Sequence, residues 1–293
     1  MKARRDKEHK TNDPLSLESL TQFVRMVVSD SPLNRLRHID NSNIFETPML
    51  GIADGDDPLF EHYLEIIGPH HLTPRKALSA AAGLSFEDRH IPIRVICWAL
   101  PISDVTKRSN AAMTALPSRR WAHTYHYGEQ FNDELRRRMV AYLQDNGANA
   151  VAPATSPGFH VLRDSRGEPT STWSERHALY AAGLGTFGLC DGFLTPLGKA
   201  MRCGSVVAAL PLPVTPRLHE LHTGACPYES KGKCGACIPR CPAGAVARSG
   251  HDKLVCEQYQ KEQMRQIGDA YGVSSAGCGL CQTAVPCESQ LPS

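Results

Sequence analysis

The residues of this chain that could do chemistry are mostly cysteines, and they are concentrated near its C-terminal end. The chain has 293 residues and 11 cysteines. Eight of them lie in its last quarter: Cys226, Cys234, Cys237, Cys241, Cys256, Cys278, Cys281 and Cys287. Such a density is typical of a segment that binds metal, because thiolates are strong ligands for zinc and for iron–sulfur clusters.

One stretch of this segment, CGACIPRCPAG, has a recognisable ligand spacing. It runs from Cys234 to Gly244 and reads C-x2-C-x3-C-P. This is the last part of the bacterial ferredoxin run C-x2-C-x2-C-x3-C-P, which binds [4Fe–4S] clusters. Lys231 stands where the first cysteine of that run belongs. We predict that Cys226, a short loop earlier, replaces the absent ligand.

Eight cysteines are the number that two [4Fe–4S] clusters need. In a ferredoxin run, the cysteine that precedes the proline binds the other cluster of the pair, and this rule divides the eight into two sets. The predicted ligands of the first cluster are Cys226, Cys234, Cys237 and Cys287. The predicted ligands of the second cluster are Cys241, Cys256, Cys278 and Cys281.

Other interpretations of these cysteines stay open. The two C-x2-C pairs could form a zinc ribbon, although their separation exceeds the roughly 15–20 residues usual in ribbons. A single cluster is a closer rival, because the second half of the segment lacks a Cys-Pro pair. Disulfides would require an oxidising compartment. The remaining cysteines lie in apolar or glycine-rich stretches and are predicted to be inert buried thiols: Cys97, Cys190 and Cys203.

The composition describes an ordinary globular protein. Hydrophobic residues make up 41% of the chain, and the formal net charge of +2 gives no sign of a nucleic-acid or membrane surface. No apolar run approaches the roughly 20 residues of a membrane helix. The N-terminal stretch has an arginine pair but no apolar stretch behind it, so we expect no export signal and a cytoplasmic location. Residues 1–14 are predicted to be a flexible tail.

Apolar periodicity separates a long folded part from the cysteine segment. Helices are predicted in DPLSLESLTQFVRMVVSD, with Asp13 as cap and Pro14 at the first position, and in FNDELRRRMVAYLQDNG. TWSERHALYAAG is a third, with a Thr172/Glu175 capping box and an end at Gly183. IPIRVICWALPI and CGSVVAALPLP are predicted as buried strands. We therefore expect a layered α/β (α+β) domain over 15–216 and a small domain over 217–293, where one helix is predicted around EQYQKEQMRQIG.

The stretch SERHALYAAGLGTFGLCDGFLTPLGKAMRCGSVVAALPL, with the cysteine run that follows it, resembles two related groups of enzymes. Epoxyqueuosine reductases remove an epoxide oxygen from a tRNA base, and reductive dehalogenases remove halide. Both have an AGLG turn, a later Gly-Ser-Val strand and two clusters in this order. The resemblance covers about residues 90–290. It implies a nitroreductase-like layered domain followed by a small ferredoxin-like domain with two [4Fe–4S] clusters.

The resemblance also implies cobalamin, to which the clusters would pass single electrons. It implies an external electron donor of the ferredoxin or flavodoxin type and a small-molecule or modified-nucleoside substrate. Tyr125 and Tyr180 are candidate proton donors, since a phenol can protonate a leaving group. The residues that the resemblance suggests for the corrinoid are Gly183, Gly185, Thr195 and Ser205.

The chain departs from epoxyqueuosine reductases at two places. Pro169 stands where those enzymes have an aspartate thought to donate a proton, and Phe131-Asn132 stands where they have a Tyr-His pair. We therefore expect a relative that acts on a different substrate. The alternative is an electron-transfer protein, in which the ferredoxin-like part serves a partner and the large domain only docks or binds a ligand.

Overall fold

The computed structural model describes residues 13–292, so the predicted tail, residues 1–14, lies almost wholly outside the described residues. The helices are α1 (Leu17–Asp30), α2 (Leu59–Ile66), α3 (Pro74–Ala82), α4 (Asp104–Ala111), α5 (Arg119–Asp145), α6 (Glu175–Ala181), α7 (Pro227–Lys231) and α8 (Lys253–Tyr271). The strands are β1 (Met49–Asp54), β2 (Ile93–Pro101), β3 (Ala150–Val151), β4 (Val161–Arg163), β5 (Pro169–Ser171), β6 (Thr186–Phe187), β7 (Phe193–Leu194), β8 (Met201–Ala209), β9 (Val246–Ala247) and β10 (Gly250–His251).

A four-stranded antiparallel sheet in the order β1-β2-β8-β3 forms the centre of the fold. Its two long strands, β2 and β8, pair from Ile93 opposite Ala209 to Pro101 opposite Met201. These are the two segments predicted as buried strands. Their nearly continuous apolar sequence is what a strand covered on both faces requires.

Helices cover both faces of this sheet. Along β2, Ile96, Trp98 and Leu100 belong to the core that packs against α1 and α5, whereas alternate residues such as Cys97 face the core shared with α2, α3 and α6. The prediction of a layered α/β domain is confirmed in this coarse form. The nitroreductase-like assignment and the boundary between residues 216 and 217 stay predictions.

Two helices begin later than the sequence suggested. The N-cap of α1 is Ser16, whose Oγ accepts a hydrogen bond from the backbone N of Ser19, so the prediction of Asp13 as cap was wrong. The predicted capping box of α6 was also wrong. Thr172 Oγ1 donates to the carbonyl of Gly158, and Glu175 contacts Ser205, so tertiary partners engage both side chains.

The C-terminal segment has little regular structure beyond α7, the short β9–β10 pair and α8, the helix predicted there. Hydrogen bonds join it to the layered part. Gln263 Nε2 of α8 donates to the carbonyl of Ala115 at 2.6 Å, and Arg240 Nη1 donates to the carbonyl of Met113 at 2.9 Å. Among the described residues, no helix combines the length and the apolar character that crossing a bilayer requires.

A buried histidine holds the start of α6 in place. His71 is 3% exposed and accepts a hydrogen bond at Nε2 from the backbone N of Ser174, at 3.2 Å. Its ring stacks on Trp173 with centroids 5.8 Å apart. Burial lowers the pKa of His71 to about 4, because the apolar surroundings disfavour the imidazolium.

The buried neutral His71 predicts acid sensitivity. The unfolded chain takes up a proton at this residue as the pH falls below about 6.5, whereas the folded chain does not until about pH 4, so stability falls within this window. Between pH 7.0 and 5.5 this loss should be about 1 kcal/mol for His71. Urea unfolding at both pH values should show the His71→Gln variant losing that much less stability than the wild type. A His62→Gln control removes an exposed imidazole and should behave as the wild type; equal pH dependence of all three proteins would contradict the prediction.

Candidate iron–sulfur site

The four cysteines predicted for the first cluster line one cavity. They come from two separate parts of the chain: Cys226, Cys234, Cys237 and Cys287. Cys226 is the N-cap of α7. The short segment that was expected to place this displaced ligand therefore contains a helical turn. After α7 the backbone takes a left-handed turn, with φ +83° at Cys234 and +87° at Gly235. This turn starts the tight C-x2-C pair.

The cysteines predicted for the second cluster also lie near one another. Burial raises the pKa of the Cys278 thiol, and the proximity of Cys256 and Cys241 raises it further. The proximity of Cys278 likewise contributes to raising the pKa of the Cys281 thiol. Helix α8 supplies two side-chain donors to the sulfurs: Gln260 Nε2 donates to Cys256 at 3.2 Å, and Gln263 Nε2 donates to Cys278 at 3.7 Å. Donors of this kind stabilise thiolates that bind iron.

A single metal ion finds no ready site among residues 13–292, since no three His, Cys, Asp or Glu side chains are gathered for one. With zinc–sulfur bonds of about 2.3 Å, four cysteines around one zinc ion would have sulfurs about 3.8 Å apart. A [4Fe–4S] cluster binds each cysteine through a different iron and therefore spaces the sulfurs more widely. The four thiols that line one cavity match the number of ligands that one such cluster takes. The presence of two clusters stays a prediction.

Cys190, predicted to be an inert buried thiol, is buried against the cysteine segment instead of in the core of the layered domain. It lies in the β6–β7 loop, 6% exposed, and contacts Cys237 and Cys281, one member of each predicted set. Lys199 Nζ donates to Cys190 Sγ at 3.3 Å. Hydrogen bonds from the Cys237 and Cys281 thiols, together with Lys199, hold the pKa of Cys190 well below its usual range.

Sequence reasoning missed this Cys190–Lys199 pair because neither residue belongs to a motif. The two residues lie nine positions apart on either side of β7, at no spacing typical of ligands. The one signal in the sequence is a lysine within the apolar and glycine-rich stretch LTPLGKAM, where a charged side chain needs a partner once it is buried.

Three of the residues suggested for cobalamin chemistry lie together on a second cavity. Tyr180, Gly183 and Gly185 line it. Gly183 has φ +72°, which favours glycine, and a Cβ on it would lie 2.4 Å from the carbonyl O of Pro216. A Cβ on Gly185 would lie 1.9 Å from the carbonyl O of Leu194. Both glycines therefore allow the chain to pack closely against its own backbone.

The other two residues suggested for the corrinoid are engaged within the chain. Thr195 Oγ1 donates to the carbonyl of Gly198 at 2.8 Å and so closes a tight turn. Ser205 is fully buried, accepts from Trp173 Nε1 at 3.0 Å and donates to Glu175. Gly183 and Gly185 border the second cavity with backbone only, and the hydroxyls of Thr195 and Ser205 are satisfied within the chain. The assignment of these four residues to a corrinoid stays a prediction.

The two candidate proton donors lie apart. Tyr180 Oη donates to the carbonyl of Glu220 at 2.8 Å, and burial raises the pKa of this phenol. Tyr125 lies on α5, away from the residues that line the second cavity, and its ring carries the Arg202 guanidinium 4.2 Å from the centroid. Only Tyr180 is placed beside an open space.

A buried ionic network joins α5, α6 and β8. Arg136, 3% exposed, donates to Glu175 at 3.1 Å, to Glu129 at 2.9 Å and to Asp133 at 2.6 Å. Burial raises the pKa of Glu175, although the nearby Arg136 guanidinium acts to lower it. Asn132 completes the network, accepting from Trp98 Nε1 at 2.9 Å and donating to the carbonyl of Cys203 at 2.8 Å.

Removing the cation of this network should destabilise the fold strongly. Arg136→Met leaves Glu175 buried beside two further carboxylates, and breaking such a buried pair costs about 3–5 kcal/mol. Urea unfolding of the anaerobic protein measures this loss in the free energy of unfolding. Arg137→Met, one residue along α5, removes an exposed arginine and should change the free energy of unfolding by less than about 0.5 kcal/mol. Similar effects of the two substitutions would contradict the assigned role of the network.

Comparison with known proteins places the fold. No family model and no curated protein matches the chain. Among solved structures, epoxyqueuosine reductase from Bacillus subtilis is similar with a TM-score of 0.50 and 13% identity, over 94% of this chain and 68% of that one. Epoxyqueuosine reductase with an epoxyqueuosine-modified tRNA-Tyr stem loop is similar with a TM-score of 0.51 and 15% identity, over 92% and 64%.

A catabolic reductive dehalogenase is also similar, with a TM-score of 0.50 and 13% identity, over 96% of this chain and 39% of that one. The chain thus spans about two thirds of the length of the epoxyqueuosine reductases and well under half of the dehalogenase. At such identities the likeness concerns the fold. The chain has the mixed α/β fold shared by epoxyqueuosine reductases and reductive dehalogenases, the two groups that its sequence resembles.

Proposed function

We propose that this protein is an iron–sulfur reductase, in which two [4Fe–4S] clusters in a ferredoxin-like C-terminal unit pass electrons to a substrate in the layered domain. The observation that carries the proposal is the convergence of Cys226, Cys234, Cys237 and Cys287 on one cavity. These cysteines were assigned to one cluster from their order in the sequence alone, and the fold brings them together. The fold shared with two kinds of reductive enzyme supports it.

Each part of the chain has a defined task in this proposal. When bound, a [4Fe–4S] cluster supplies one electron at a time. The two predicted cysteine sets would hold the clusters, and Gln260 and Gln263 would donate hydrogen bonds to Cys256 and Cys278 of the second set. Arg240, next to Cys241, donates to carbonyls of both the C-terminal segment and the layered part, and so keeps the two in contact.

Reductive removal of a leaving group is the reaction that best suits this arrangement. The bond between carbon and the leaving group breaks, two electrons and one proton are taken up, and a carbon–hydrogen bond replaces it. An external ferredoxin or flavodoxin would supply the two electrons through the clusters. Tyr180 is the better placed proton donor of the two tyrosines, because it lines a cavity. Its phenol donates to the Glu220 carbonyl and would have to turn from that carbonyl to donate to a substrate.

The proposed substrate is a small molecule or a modified nucleoside. One similar structure, an epoxyqueuosine reductase, is bound to a modified tRNA stem loop. In this chain Pro169 is exposed on β5, and Asn132 is committed to Trp98 and Cys203. Both positions that differ from epoxyqueuosine reductases therefore have structural roles here or face the solvent, which favours a substrate other than epoxyqueuosine.

Cobalamin is the catalytic group that the resemblance implies. The residues suggested for it stay predictions, and no step is assigned to it. A second candidate function is an electron-transfer protein that binds no corrinoid; it is supported by the hydroxyls of Thr195 and Ser205, which are both satisfied within the chain.

Metal and corrin analysis separates these functions. Anaerobic protein reconstituted with iron and sulfide should be brown and should carry about eight irons per chain, the content of two clusters. Cobalamin that stays with the protein through gel filtration would support the reductase, and about eight irons without corrin retention would support electron transfer. A preparation that takes up zinc and no iron would contradict both.

Single cysteine variants test the two ligand sets. Cys226→Ala should lower the iron content by about half and remove the same EPR signal as Cys234→Ala, because both residues are assigned to the first cluster. Cys256→Ala should remove the other signal. Cys97→Ala, within β2 of the layered domain, is the control and should keep both clusters. Retention of both clusters in Cys226→Ala would refute the displaced ligand.

A further inference from the structure

Lys199 is a buried lysine held against the cysteine segment. It precedes β8 and is 4% exposed. Its backbone N donates to the carbonyl of Cys287 at 2.9 Å, and the next residue, Ala200, donates to the carbonyl of Glu288 at 3.2 Å. These two backbone bonds fix the position of Lys199 relative to a predicted ligand of the first cluster.

The ammonium of Lys199 faces sulfur rather than oxygen. Its Nζ donates to Cys190 Sγ at 3.3 Å. Cys190 packs in one cluster with further cysteines of the C-terminal segment, among them Cys237, Cys281 and Cys287. Lys199 itself lines the cavity of the first predicted set.

A lysine buried in this way needs an anion. Buried ammonium groups are paired, because removing an unpaired charge from water costs several kcal/mol. Lys107, which is also buried, has such a partner in Asp104, with Nζ 2.7 Å from the carboxylate. Within residues 13–292, no carboxylate oxygen lies within 4.0 Å of Lys199, so the anion must come from the sulfur side.

A [4Fe–4S] cluster with its four thiolates is such an anion, and its negative charge grows by one when it is reduced. The reduction potential of a cluster depends on its net charge, on hydrogen bonds to its sulfurs and on its exposure to solvent. A cation inside the same cavity stabilises the reduced form more than the oxidised form. Its hydrogen bond to Cys190, which packs against predicted ligands, holds the ammonium in that cavity.

We propose that Lys199 is the counter-ion of the first cluster and raises its reduction potential. This inference rests on the proposed function, since it requires a cluster held by Cys226, Cys234, Cys237 and Cys287. Lys199 acts as a positioning residue: it lies in the cavity of the first predicted set and bonds Cys190, and it does not touch the substrate. Cys190, which lies between Lys199 and two predicted ligands, belongs to this hydrogen-bonded group without serving as a ligand.

The test is a redox titration followed by EPR on anaerobic, reconstituted full-length protein. Cys256→Ala, which retains the first cluster only, assigns the two signals. In Lys199→Met the equilibrium constant for one-electron reduction of the first cluster should fall at least tenfold, which corresponds to a potential about 59 mV more negative. The second cluster, of which only Cys281 packs beside the Cys190–Lys199 pair, should shift by less than the first. Lys199→Arg keeps the charge and should restore most of the difference.

Matched controls separate this effect from general changes in charge. Lys233→Met removes a lysine that is exposed to water beside Cys234 and should leave both potentials unchanged. Cys190→Ser should retain both clusters with full iron content; loss of one cluster in this variant would make Cys190 a ligand and overturn its assignment.

Failure of the inference and failure of the proposed function have different signatures. A wild-type protein without clusters refutes the function, whereas a first cluster whose potential is the same in Lys199→Met and the wild type refutes the role of Lys199 alone. If Lys199→Met cannot hold the first cluster, the potential of that cluster is measured in Lys199→Gln instead. This variant keeps a hydrogen-bond donor but not the charge. Loss of the first cluster from Lys199→Arg as well would overturn the counter-ion role.

Discussion

The attachment of the cysteine segment to the layered domain is the contact on which the rest of the structure depends. The small apolar clusters of the C-terminal segment include residues of the layered domain. The first cysteine set lines a cavity together with Lys199 and with residues of β7 and of the β6–β7 loop. The backbone bonds from Lys199 and Ala200 to Cys287 and Glu288 fix this attachment. Without it, neither Cys287 nor Cys190 would lie near the C-x2-C turn.

Contacts within the layered domain hold β8, the strand that follows Lys199, in a fixed position. Strand β8 is paired along its length with β2, and the Arg136 network ties it to α5 and α6 from one side. Buried ion pairs of this kind are weak evidence for added stability, because desolvation offsets much of the attraction. Their geometry is specific, however, and here it fixes α6 and the following AGLG turn relative to β8.

The sequence predicted the long elements well, because their evidence is local. The apolar runs of β2 and β8 and the periodicity of α5, with Leu135, Met139 and Leu143 buried, all came from patterns within one segment. The helix caps failed because Thr172 and Glu175 have partners distant in the sequence. The division of the cysteines follows a known spacing rule and stays a prediction, although the fold does place the first set on one cavity. Cys190 and Lys199 follow no spacing, and only the folded chain shows their contacts.

The roles suggested for Gly183, Gly185, Thr195 and Ser205 show the limit of reasoning from similarity. A glycine in a turn is required equally by a bound cofactor and by the chain's own backbone, and the sequence does not distinguish the two. In this chain the carbonyls of Pro216 and Leu194 lie so close to the two glycines that the chain's own packing is enough to require glycine there. Hydroxyl groups that are satisfied inside the protein are equally poor evidence for a ligand.

The position of Cys287 also sets the order in which the protein can mature. Its carbonyl is held by Lys199, so the layered domain has to be folded, and the last residues of the chain have to reach it, before the first cavity is complete. Iron delivered during synthesis would therefore meet an incomplete set of thiols. Insertion of the first cluster is for this reason expected to follow the docking of the segment around Cys287 on the layered domain.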